Sequence, residues 1–468
     1  MHASDRPSFY LSDVTFPDRF LRELAPAWLS YVGAVGGIPP RDFDRPFTYL
    51  ELGCGFARST VVNAAAYPRA EFHACDFNPV HIEAAARHAA DLGVGNVVLH
   101  EAGFETLLDK DLPSFDFIVL HGVYSWVDTD ARSALRRIIA RKLNDGGIVY
   151  VSYNCFPGWS AEVPLRKLWV ELSQAAEGSV EQRTDTALQA MKQLGNPSIK
   201  YFRETPAAVE ALATFSRHPV NYLAHEFLNG TWDVHYSVDV ADEMARSGLS
   251  YVGSATLADN HPLLLMDKQA ADSITALPNA RLKHLAADFA VNRRFRRDVF
   301  VRRGRTHHAP GGALGDAIVG CASVVEEIDT QVNIPRGVLH FQSDFVGDLR
   351  ALMSQGAMRV EDIVARLSAP RRNPMEIRQN LLFLVAAGAL TPFAKAGGYP
   401  DPVSQPARNP AARYTLRQIV EQSTPGFVPC ELLGNGLPVT VDEAAAAQRW
   451  IAHPDTARPD RLARLGIV

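Results

Sequence analysis

Short apolar runs alternate with amphipathic stretches of ten to fifteen residues between Phe47 and Val151. This alternation is typical of repeated strand–helix units that form a parallel sheet. Five strands are predicted, at Phe47–Leu52, Ala70–Cys75, Asn96–His100, Phe115–His121 and Gly147–Ser152. Three helices are predicted between them, at Arg58–Ala66, Pro79–Leu92 and Asp130–Leu143. The pattern therefore predicts an α/β fold with a Rossmann-like sheet.

The strand pattern stops after Tyr153 and returns near Ser237. Helical spacing dominates in between, at Glu162–Ala176, Val180–Leu194 and Pro206–Phe215. We interpret residues 156–235 as a helical insertion that serves as a lid over the carboxyl edge of the sheet or as a dimerisation element. A helix at Ser237–Gly248 and a strand at Leu249–Leu257 then predict that the sheet resumes.

From Asp267 onward the pattern is mostly helical, with a β-like stretch at Gln331–Gln342. Apolar spacing between Asp344 and Phe393 predicts three helices and a turn, as in a winged-helix fold. Six arginines and five acidic residues nearly balance there, which favours protein interaction over DNA binding. The predicted domains are 1–155 with 236–262 for the sheet, 156–235 for the insertion, 263–343 for a middle or regulatory domain, and 344–468 for a carboxyl-terminal domain.

Composition restricts the environment and the partners. The 468 residues carry a net charge of −5, which disfavours non-specific attraction to nucleic acid or anionic membranes. Five scattered cysteines without close Cys/His pairing predict a reducing compartment and no metal site. The first residues lack a signal-peptide pattern, and no eighteen apolar residues run together. We therefore expect a cytoplasmic protein without a membrane span.

The first predicted strand ends in Glu51-Leu52-Gly53-Cys54-Gly55. Glycines in such a turn let the backbone approach a ligand closely. The three-glycine pattern of dinucleotide binders is incomplete because Ala57 stands near its third position. Glu51 would also repel a pyrophosphate. The turn therefore favours a nucleotide-like ligand without phosphates over a nicotinamide cofactor.

Asp76 closes the second predicted strand about twenty residues after the glycine turn. A carboxylate at this position can accept hydrogen bonds from both hydroxyls of a ribose. The alternative is that Asp76 caps the following helix. Phe77 is a candidate to cover one face of an adenine, with ordinary packing as the alternative.

Three segments, Tyr49–Gly55, Cys75–Pro79 and Phe115–Val119, resemble the motifs of class I S-adenosylmethionine-dependent methyltransferases. Further segments are similar to the bacterial methyltransferases that carry a methyltransferase regulatory domain, a group that includes rickettsial outer-membrane-protein lysine methyltransferases. These segments are His121–Val127, Tyr150–Asn154, Pro157–Trp159, Tyr222–Leu228, Asp288-Phe289 and Arg294-Phe295-Arg296. The resemblance covers roughly residues 15 to 300.

This resemblance implies S-adenosylmethionine as cofactor and S-adenosylhomocysteine as product. It implies that Gly53, Cys54 and Gly55 approach the methionine part. The position of Glu51, two residues before Gly53, makes it a candidate to anchor the turn or the cofactor's ammonium. It also implies that Asp76 holds the ribose and that His121, Gly122 and Val123 lie beneath the sulfonium. The adenine-binding aspartate of such enzymes corresponds here to Gly103, followed by Phe104. Backbone groups, Glu101 or Glu105 are the candidates to replace it.

The candidate acceptor site lies at the carboxyl ends of the fourth and fifth strands, where open parallel sheets bind ligands. It contains Tyr124, Trp126, Tyr153, His121 and Asn154. We predict that Tyr124 and Tyr153 orient the acceptor, because methyl transfer is an in-line displacement that depends on alignment. The alternative is that Trp126 and Tyr153 only pack the insertion. His121 is either a general base for an oxygen acceptor or part of the pocket wall.

Two further groups of residues are interpreted as structural. His225 and Glu226 are adjacent on a predicted helix, so they point in different directions and lack a third metal ligand. The segment Arg293–Arg305 holds seven arginines. It would suit an acidic protein or RNA, but we favour a solvated helix that contacts acidic residues of the methyltransferase domain.

The favoured acceptor is a protein side chain such as lysine, because the additional modules exceed what a small acceptor needs. The alternatives are a small-molecule, natural-product acceptor and a non-catalytic binding or regulatory protein that kept the cofactor fold. A homodimer is a further expectation. Nucleic acid and membrane partners are not expected.

Overall fold

The structure, a computed structural model, describes residues 19–220, 223–224, 228–302, 308–368, 372–398, 409–453 and 455–468. Its centre is a sheet of seven strands: β1 (Thr48–Leu52), β2 (Glu71–Asp76), β3 (Val97–Glu101), β4 (Phe115–Leu120), β5 (Leu143–Asn154), β6 (Leu249–Ser254) and β7 (Phe295–Arg302). The strand order is β3-β2-β1-β4-β5-β7-β6, and β7 is antiparallel to both neighbours. The Rossmann-like α/β fold is confirmed.

Five helices accompany the first half of the sheet: α1 (Pro26–Val35), α2 (Arg58–Ala66), α3 (Pro79–Asp91), α4 (Phe104–Leu108) and α5 (Thr129–Lys142). The five strands and three helices predicted here are all present. The Asn78 side chain caps α3 by accepting a hydrogen bond from the Val80 amide at 3.0 Å. Apolar periodicity and a local cap therefore suffice to place these elements.

Among the described residues, the insertion contains α6 (Glu162–Ala175), α7 (Val180–Leu194), α8 (Lys200–Glu204) and α9 (Pro206–Phe215). They enclose their own apolar cluster, which includes Trp159, Trp169 and Phe215. The Trp159 indole donates to the Arg294 carbonyl at 2.9 Å, and the Arg294 guanidinium lies 3.5 Å from the Trp159 ring centroid. The three predicted helices are confirmed, whereas the role as lid or dimerisation element stays a prediction.

The prediction of a solvated helix at Arg293–Arg305 is wrong, because Phe295–Arg302 forms β7 in the interior of the sheet. Val299-Phe300-Val301 supplies the apolar run of a buried strand. Arg296 is buried because its guanidinium pairs with Asp288 at 2.5 Å and with Asp298 at 2.9 Å. β7 lies outside both segments predicted for the sheet domain. Arg303 and Arg305 lie outside the described residues.

Two layers of side chains cover the sheet. One face packs against α1 and includes Tyr49, Val119 and Tyr150. The other face packs against α5 and against α10 (Ser237–Arg246), and it includes Tyr124 and Tyr153. Successive residues of a strand point to opposite faces, so Tyr150 and Tyr153 belong to different layers.

The next helices are α11 (Pro262–Leu265), α12 (Lys268–Thr275) and α13 (Ala280–Ala290). Short strands β8 (Ile318–Gly320), β9 (Gln331–Ile334) and β10 (Gly337–His340) follow. β9 and β10 pair as an antiparallel hairpin, which confirms the β-like stretch at Gln331–Gln342. Isolated 3₁₀ turns lie at Arg22–Leu24, Leu257–Asn260, Leu314–Asp316 and Val325–Glu327.

The winged-helix-like part contains α14 (Ser343–Met353), β11 (Gly356–Arg359), α15 (Val360–Leu367), α16 (Pro374–Ala386), β12 (Thr391–Pro392) and β13 (Gly397–Gly398). Its small sheet has the order β12-β8-β11-β13. The three helices predicted between Asp344 and Phe393 are confirmed. The domain boundaries themselves stay predictions.

The last elements are α17 (Pro410–Glu421), β14 (Gly426–Cys430), β15 (Asn435–Val439), α18 (Val441–Ala452) and α19 (Asp460–Arg464). The β14–β15 hairpin returns to the beginning of the fold. The Tyr67 hydroxyl at the end of α2 donates to the Gly434 carbonyl at 2.9 Å. The Asn435 side-chain amide donates to the Arg22 carbonyl at 3.2 Å. The β14–β15 hairpin thus packs against the end of α2, the helix that follows the glycine turn.

Candidate active site

The glycine turn connects β1 to α2. Gly53 and Gly55 have φ angles of +71° and +52°, which favour glycine. The Gly53 and Cys54 amides donate to the Cys75 carbonyl at 2.8 and 3.0 Å, so the turn is fastened to β2. A Cβ on Gly53 would lie 2.5 Å from the Val123 side chain. A Cβ on Gly55, in contrast, would have no atom of the described residues within 4 Å. Gly53 is therefore packed, and Gly55 borders open space.

Glu51 lies beneath this turn and is only 5% exposed. The Thr60 hydroxyl of α2 donates a hydrogen bond to its carboxylate. The pKa of Glu51 is raised to about 7, chiefly by burial; the Thr60 hydrogen bond opposes this rise and the nearby Asp76 carboxylate adds to it. Burial also raises the pKa of the Cys54 thiol. Glu51 can thus change charge near neutral pH.

Asp76 connects the glycine turn to the beginning of α3. Its Oδ2 accepts from the Gly55 amide at 2.9 Å, and its Oδ1 accepts from the Asn78 amide at 2.9 Å and lies 3.3 Å from His81 Nδ1. Because Asn78 caps α3, the structure does not assign that role to Asp76. Half-buried Phe77 follows directly. The carboxylate therefore lies where the prediction needs it, between the turn and α3.

The candidate adenine end lies between β3 and α4. Gly103 precedes α4 with φ −72°, and a Cβ built there would meet no atom within 4 Å. Phe104 packs partly into the apolar layer behind it. Glu105, one predicted substitute for an adenine-binding aspartate, is paired with Arg137 at 2.7 Å. The structure therefore has room for a side chain at position 103, and packing does not require a glycine there.

The loop after β4 is fixed by two side chains of β5. His121 Nδ1 lies 2.8 Å from the Tyr150 hydroxyl, and the Gly122 amide donates to the Ser152 hydroxyl at 2.8 Å. Burial and the positive charge of Arg297 lower the pKa of His121 to about 3. The imidazole is therefore neutral at physiological pH. Sequence reasoning gave Tyr150, Ser152 and Arg297 no role, although alternation along β5 places the first two on one face.

Tyr124 and Tyr153 do not point their hydroxyls at one place. Both are fully buried, and burial raises the pKa of each. The Tyr124 hydroxyl donates to Glu243 of α10, and the Tyr153 hydroxyl donates to Asp298 at 2.5 Å. The rings meet at His235, with centroid distances of 5.5 and 6.1 Å. Neither Glu243 nor His235 could be found from local sequence.

Trp126 and Asn154 have different surroundings. Trp126 packs partly buried against the apolar cluster of the insertion, which favours the packing alternative. The backbone amide of Asn154 donates to the Ser125 hydroxyl at 2.9 Å. Asn154 is 2% exposed, and its Nδ2 has no hydrogen-bond partner among the described residues. This side-chain amide thus has unused hydrogen-bonding capacity.

The described part of the chain contains no group of three or more His, Cys, Asp or Glu side chains arranged to hold a metal ion. None of the described helices combines the length and apolarity that crossing a membrane requires. His225 and Glu226 lie outside the described residues.

Comparison with protein families matches two parts of the chain. A model described as a methyltransferase domain matches residues 50–149, which include the glycine turn and Asp76. A model described as a predicted methyltransferase regulatory domain matches residues 219–302, which include α10, β6 and β7. The uncharacterized protein sll1526 of Synechocystis is 31% identical over 357 residues, covering 76% of this chain and 70% of that protein. The chain belongs to the class I S-adenosylmethionine-dependent methyltransferases with a methyltransferase regulatory domain.

A second relative matches this methyltransferase over a shorter range. The uncharacterized protein RP789 of Rickettsia prowazekii is 28% identical over 251 residues, covering 53% of this chain and 44% of that protein. Among solved structures, PKMT2 from Rickettsia typhi superposes with a TM-score of 0.67 at 19% identity. The match covers 92% of this chain and 87% of PKMT2, and the complex of PKMT2 with AdoHcy gives the same values. The fold of the methyltransferase is thus shared almost throughout.

The residues present fit S-adenosylmethionine, the cofactor of this family. Gly55, Gly103 and Gly122 follow β1, β3 and β4, and at none of them would a Cβ meet an atom of the described residues within 4 Å. They leave open space along the carboxyl edge of the sheet, where parallel sheets bind ligands. The Asp76 carboxylate, which suits ribose hydroxyls, lies between these glycines in strand order.

Proposed function

We propose that this enzyme transfers the methyl group of S-adenosylmethionine to a lysine side chain of a protein. The supporting observation is the match to PKMT2 over 92% of the chain, which includes the insertion and the carboxyl-terminal elements as well as the sheet. A small acceptor needs only the sheet and a cover. The extra elements offer surface that a protein acceptor can contact.

We further propose the roles of the cofactor-binding residues. Glu51, Gly53, Cys54 and Gly55 hold the methionine part, and His121, Gly122 and Val123 line the position beneath the sulfonium. Asp76 holds the ribose, with Phe77, Gly103 and Phe104 around the adenine. When bound, the cofactor supplies an electrophilic methyl group. The protein contributes alignment, since in-line displacement depends on the positions of the reacting atoms.

A lysine acceptor has to react as the neutral amine. The residues around the candidate acceptor site favour the neutral amine, because His121 is neutral and the nearby tyrosines are buried and protonated. Asn154 Nδ2, buried without a partner, is the group we propose to contact the acceptor or its backbone. For Tyr124, Tyr153 and Trp126 we propose an indirect part, since their contacts hold α10, β7 and the insertion at this edge.

The test uses the purified full chain, methyl-labelled cofactor and a bacterial lysate. We expect label on a protein band that survives denaturing electrophoresis and maps to methyl-lysine by mass spectrometry. Asp76→Ala is the negative control, and Asp111→Ala, an exposed aspartate, is its matched control. Label found only in extractable metabolites would contradict the lysine proposal and support the small-molecule alternative.

A further inference from the structure

Arg297 of β7 differs from the other described arginines of the segment 293–302. The others contact acidic side chains or main-chain carbonyls: Arg293 contacts Asp259, Arg294 contacts Glu162, Arg296 contacts Asp288 and Asp298, and Arg302 contacts the carbonyls of Ile139, Ala140 and Leu143. Arg297 is half-buried, and the acceptor that it has among the described residues is the Thr256 hydroxyl, 3.0 Å from Nη1. Its Nε is buried without a partner in that part of the chain. The guanidinium charge is thus not balanced by a contacting carboxylate of the described residues.

Arg297 lies at the carboxyl edge of the sheet, near the loop that follows β4. It pairs with Ser152 of β5, and the Ser152 hydroxyl accepts from the Gly122 amide at 2.8 Å. The Phe295 ring lies between Arg297 and the β4 loop. Its centroid is 5.3 Å from the Arg297 guanidinium carbon and 5.9 Å from the centroid of the His121 ring. The positive charge therefore borders the residues that we place beneath the sulfonium.

Main-chain contacts fix the position of Arg297. β7 is antiparallel to both β5 and β6, and the Arg297 carbonyl accepts from the Ala255 amide at 2.8 Å. Thr256, which holds Nη1, is the next residue of the same segment. A guanidinium that is already oriented loses less conformational freedom when it binds an anion.

The free edge of this guanidinium suits a carboxylate. Nη1 is occupied by Thr256, which leaves Nε and Nη2 as two neighbouring donors. A carboxylate can accept from two such donors at once, and these charge-assisted hydrogen bonds are stronger than neutral ones. A counter-ion also offsets the cost of partly removing the charge from water. Carboxylates are present in the methionine part of the cofactor and in acidic residues of a protein acceptor.

We propose that Arg297 binds a carboxylate of one of the two reactants at the carboxyl edge of the sheet. The source is either the methionine part of the cofactor or an acidic residue beside the acceptor lysine, and this second source rests on the proposed function. In either case the guanidinium fixes one reactant relative to the other. Such a contact contributes to the alignment that in-line displacement requires.

The first measurement tests the cofactor as the source of the carboxylate. Calorimetry on the full chain compares S-adenosylhomocysteine with its decarboxylated analogue, which keeps the adenosine, the thioether and the amine. With this source, Arg297→Gln should weaken S-adenosylhomocysteine binding roughly 10- to 100-fold and change the affinity for the analogue by less than about twofold. Arg141→Gln is the matched control, because it removes the same charge from an exposed position of α5 and should leave both affinities unchanged.

The second measurement tests the acceptor as the source. The full chain labels a bacterial lysate with methyl-labelled cofactor, and tandem mass spectrometry identifies the residues beside each methylated lysine. With this source, Arg297→Gln should keep its affinity for S-adenosylhomocysteine and lose roughly tenfold or more of the labelling beside Asp or Glu. The calorimetry involves no turnover, so a failure to methylate lysine is distinguishable from a failure of the carboxylate proposal.

Two results would overturn the proposal. One is an unchanged affinity for S-adenosylhomocysteine in Arg297→Gln without a loss of labelling beside acidic residues. The other is an equal weakening of S-adenosylhomocysteine and its decarboxylated analogue, because Arg297 would then act on the shape of the pocket. Arg297→Lys keeps the charge and loses the planar pair of donors. It undergoes the same two measurements, with the same opposing outcomes, if the glutamine variant does not fold.

Discussion

Single residues at the candidate site show how one carboxylate serves several partners. Asp76 already accepts amide hydrogen bonds from Gly55 and Asn78. A carboxylate offers about four lone-pair positions, so both oxygens retain capacity for ribose hydroxyls. The sequence predicted the position of Asp76 because glycine turn, helix and strand spacing are local. It could not predict that His81 joins the same carboxylate.

At Gly103 the space for an aspartate exists without the aspartate. We expect Gly103→Asp to bind S-adenosylmethionine about tenfold more tightly, corresponding to about 1.4 kcal/mol, because a carboxylate there can accept the adenine amino group. Titration calorimetry measures the change. Gly95→Asp is the control, since Gly95 is exposed and its Cβ also has open space. Unchanged affinity in folded Gly103→Asp protein would place the adenine elsewhere.

Glu51 predicts a pH dependence of stability in the chain without cofactor. Its pKa is about 7 when folded and near 4.5 when exposed, so between these values the unfolded chain ionises while the folded protein stays protonated. Stability should therefore fall as pH rises from 4.5 to 7, by at most about 3 kcal/mol, and level off above 7.

Urea unfolding between pH 4.5 and 8 measures this effect. Glu51→Gln cannot ionise and can still accept from Thr60, so it should lack this part of the decline and exceed the wild type most at pH 8. Glu105→Gln, which alters an exposed carboxylate, is the matched control. Parallel pH curves for wild type and Glu51→Gln would show that Glu51 is not responsible.

At the scale of elements, local patterning predicted every strand up to β6 and failed at β7. Apolar runs and a capping asparagine describe β1–β5 and α3 without help from distant residues. β7 carries buried Arg296 and Asp298 and half-buried Arg297, whose placement depends on partners in other elements. Likewise, the Tyr124 hydroxyl meets Glu243, 119 residues away. Patterns along the chain do not contain such pairings.

Arg296 tests how much β7 depends on its buried charges. We expect Arg296→Met to lower the free energy of unfolding by about 3–5 kcal/mol, because buried Asp298 would lose its cation and buried Asp288 would keep only Arg293 at 3.7 Å. Arg281→Met is the control, since that side chain is 51% exposed in its ion pairs and should cost under about 1 kcal/mol. Chemical denaturation compares the two. Equal losses would show that the buried pairs contribute no more than surface pairs.

Across the whole molecule, the β14–β15 hairpin contacts the end of α2, the helix that begins after the glycine turn. Tyr67 follows α2, accepts from the Ala27 amide at 3.2 Å and donates to the Gly434 carbonyl at 2.9 Å. The Asn409 side chain also donates to the Ala65 carbonyl at 3.2 Å. α2 begins directly after the glycine turn, so residues beyond 400 stabilise an element of the site. The sequence, read as separate domains, gave no sign of this contact.

Gly434 allows that long-range support to be tested with one methyl group. Its φ is +64°, and a Cβ there would lie 2.1 Å from the Tyr67 hydroxyl. Gly388 is the matched control, with φ +82° and no atom of the described residues within 4 Å of a Cβ.

Gly388→Ala should lower the free energy of unfolding by about 1–2 kcal/mol from its backbone conformation alone. Gly434→Ala should cost about 1–3 kcal/mol more through overpacking, and it should also weaken S-adenosylhomocysteine binding because Tyr67 moves with α2. Thermal unfolding and calorimetry measure both effects, and identical results for the two variants would mean that the hairpin does not support the site.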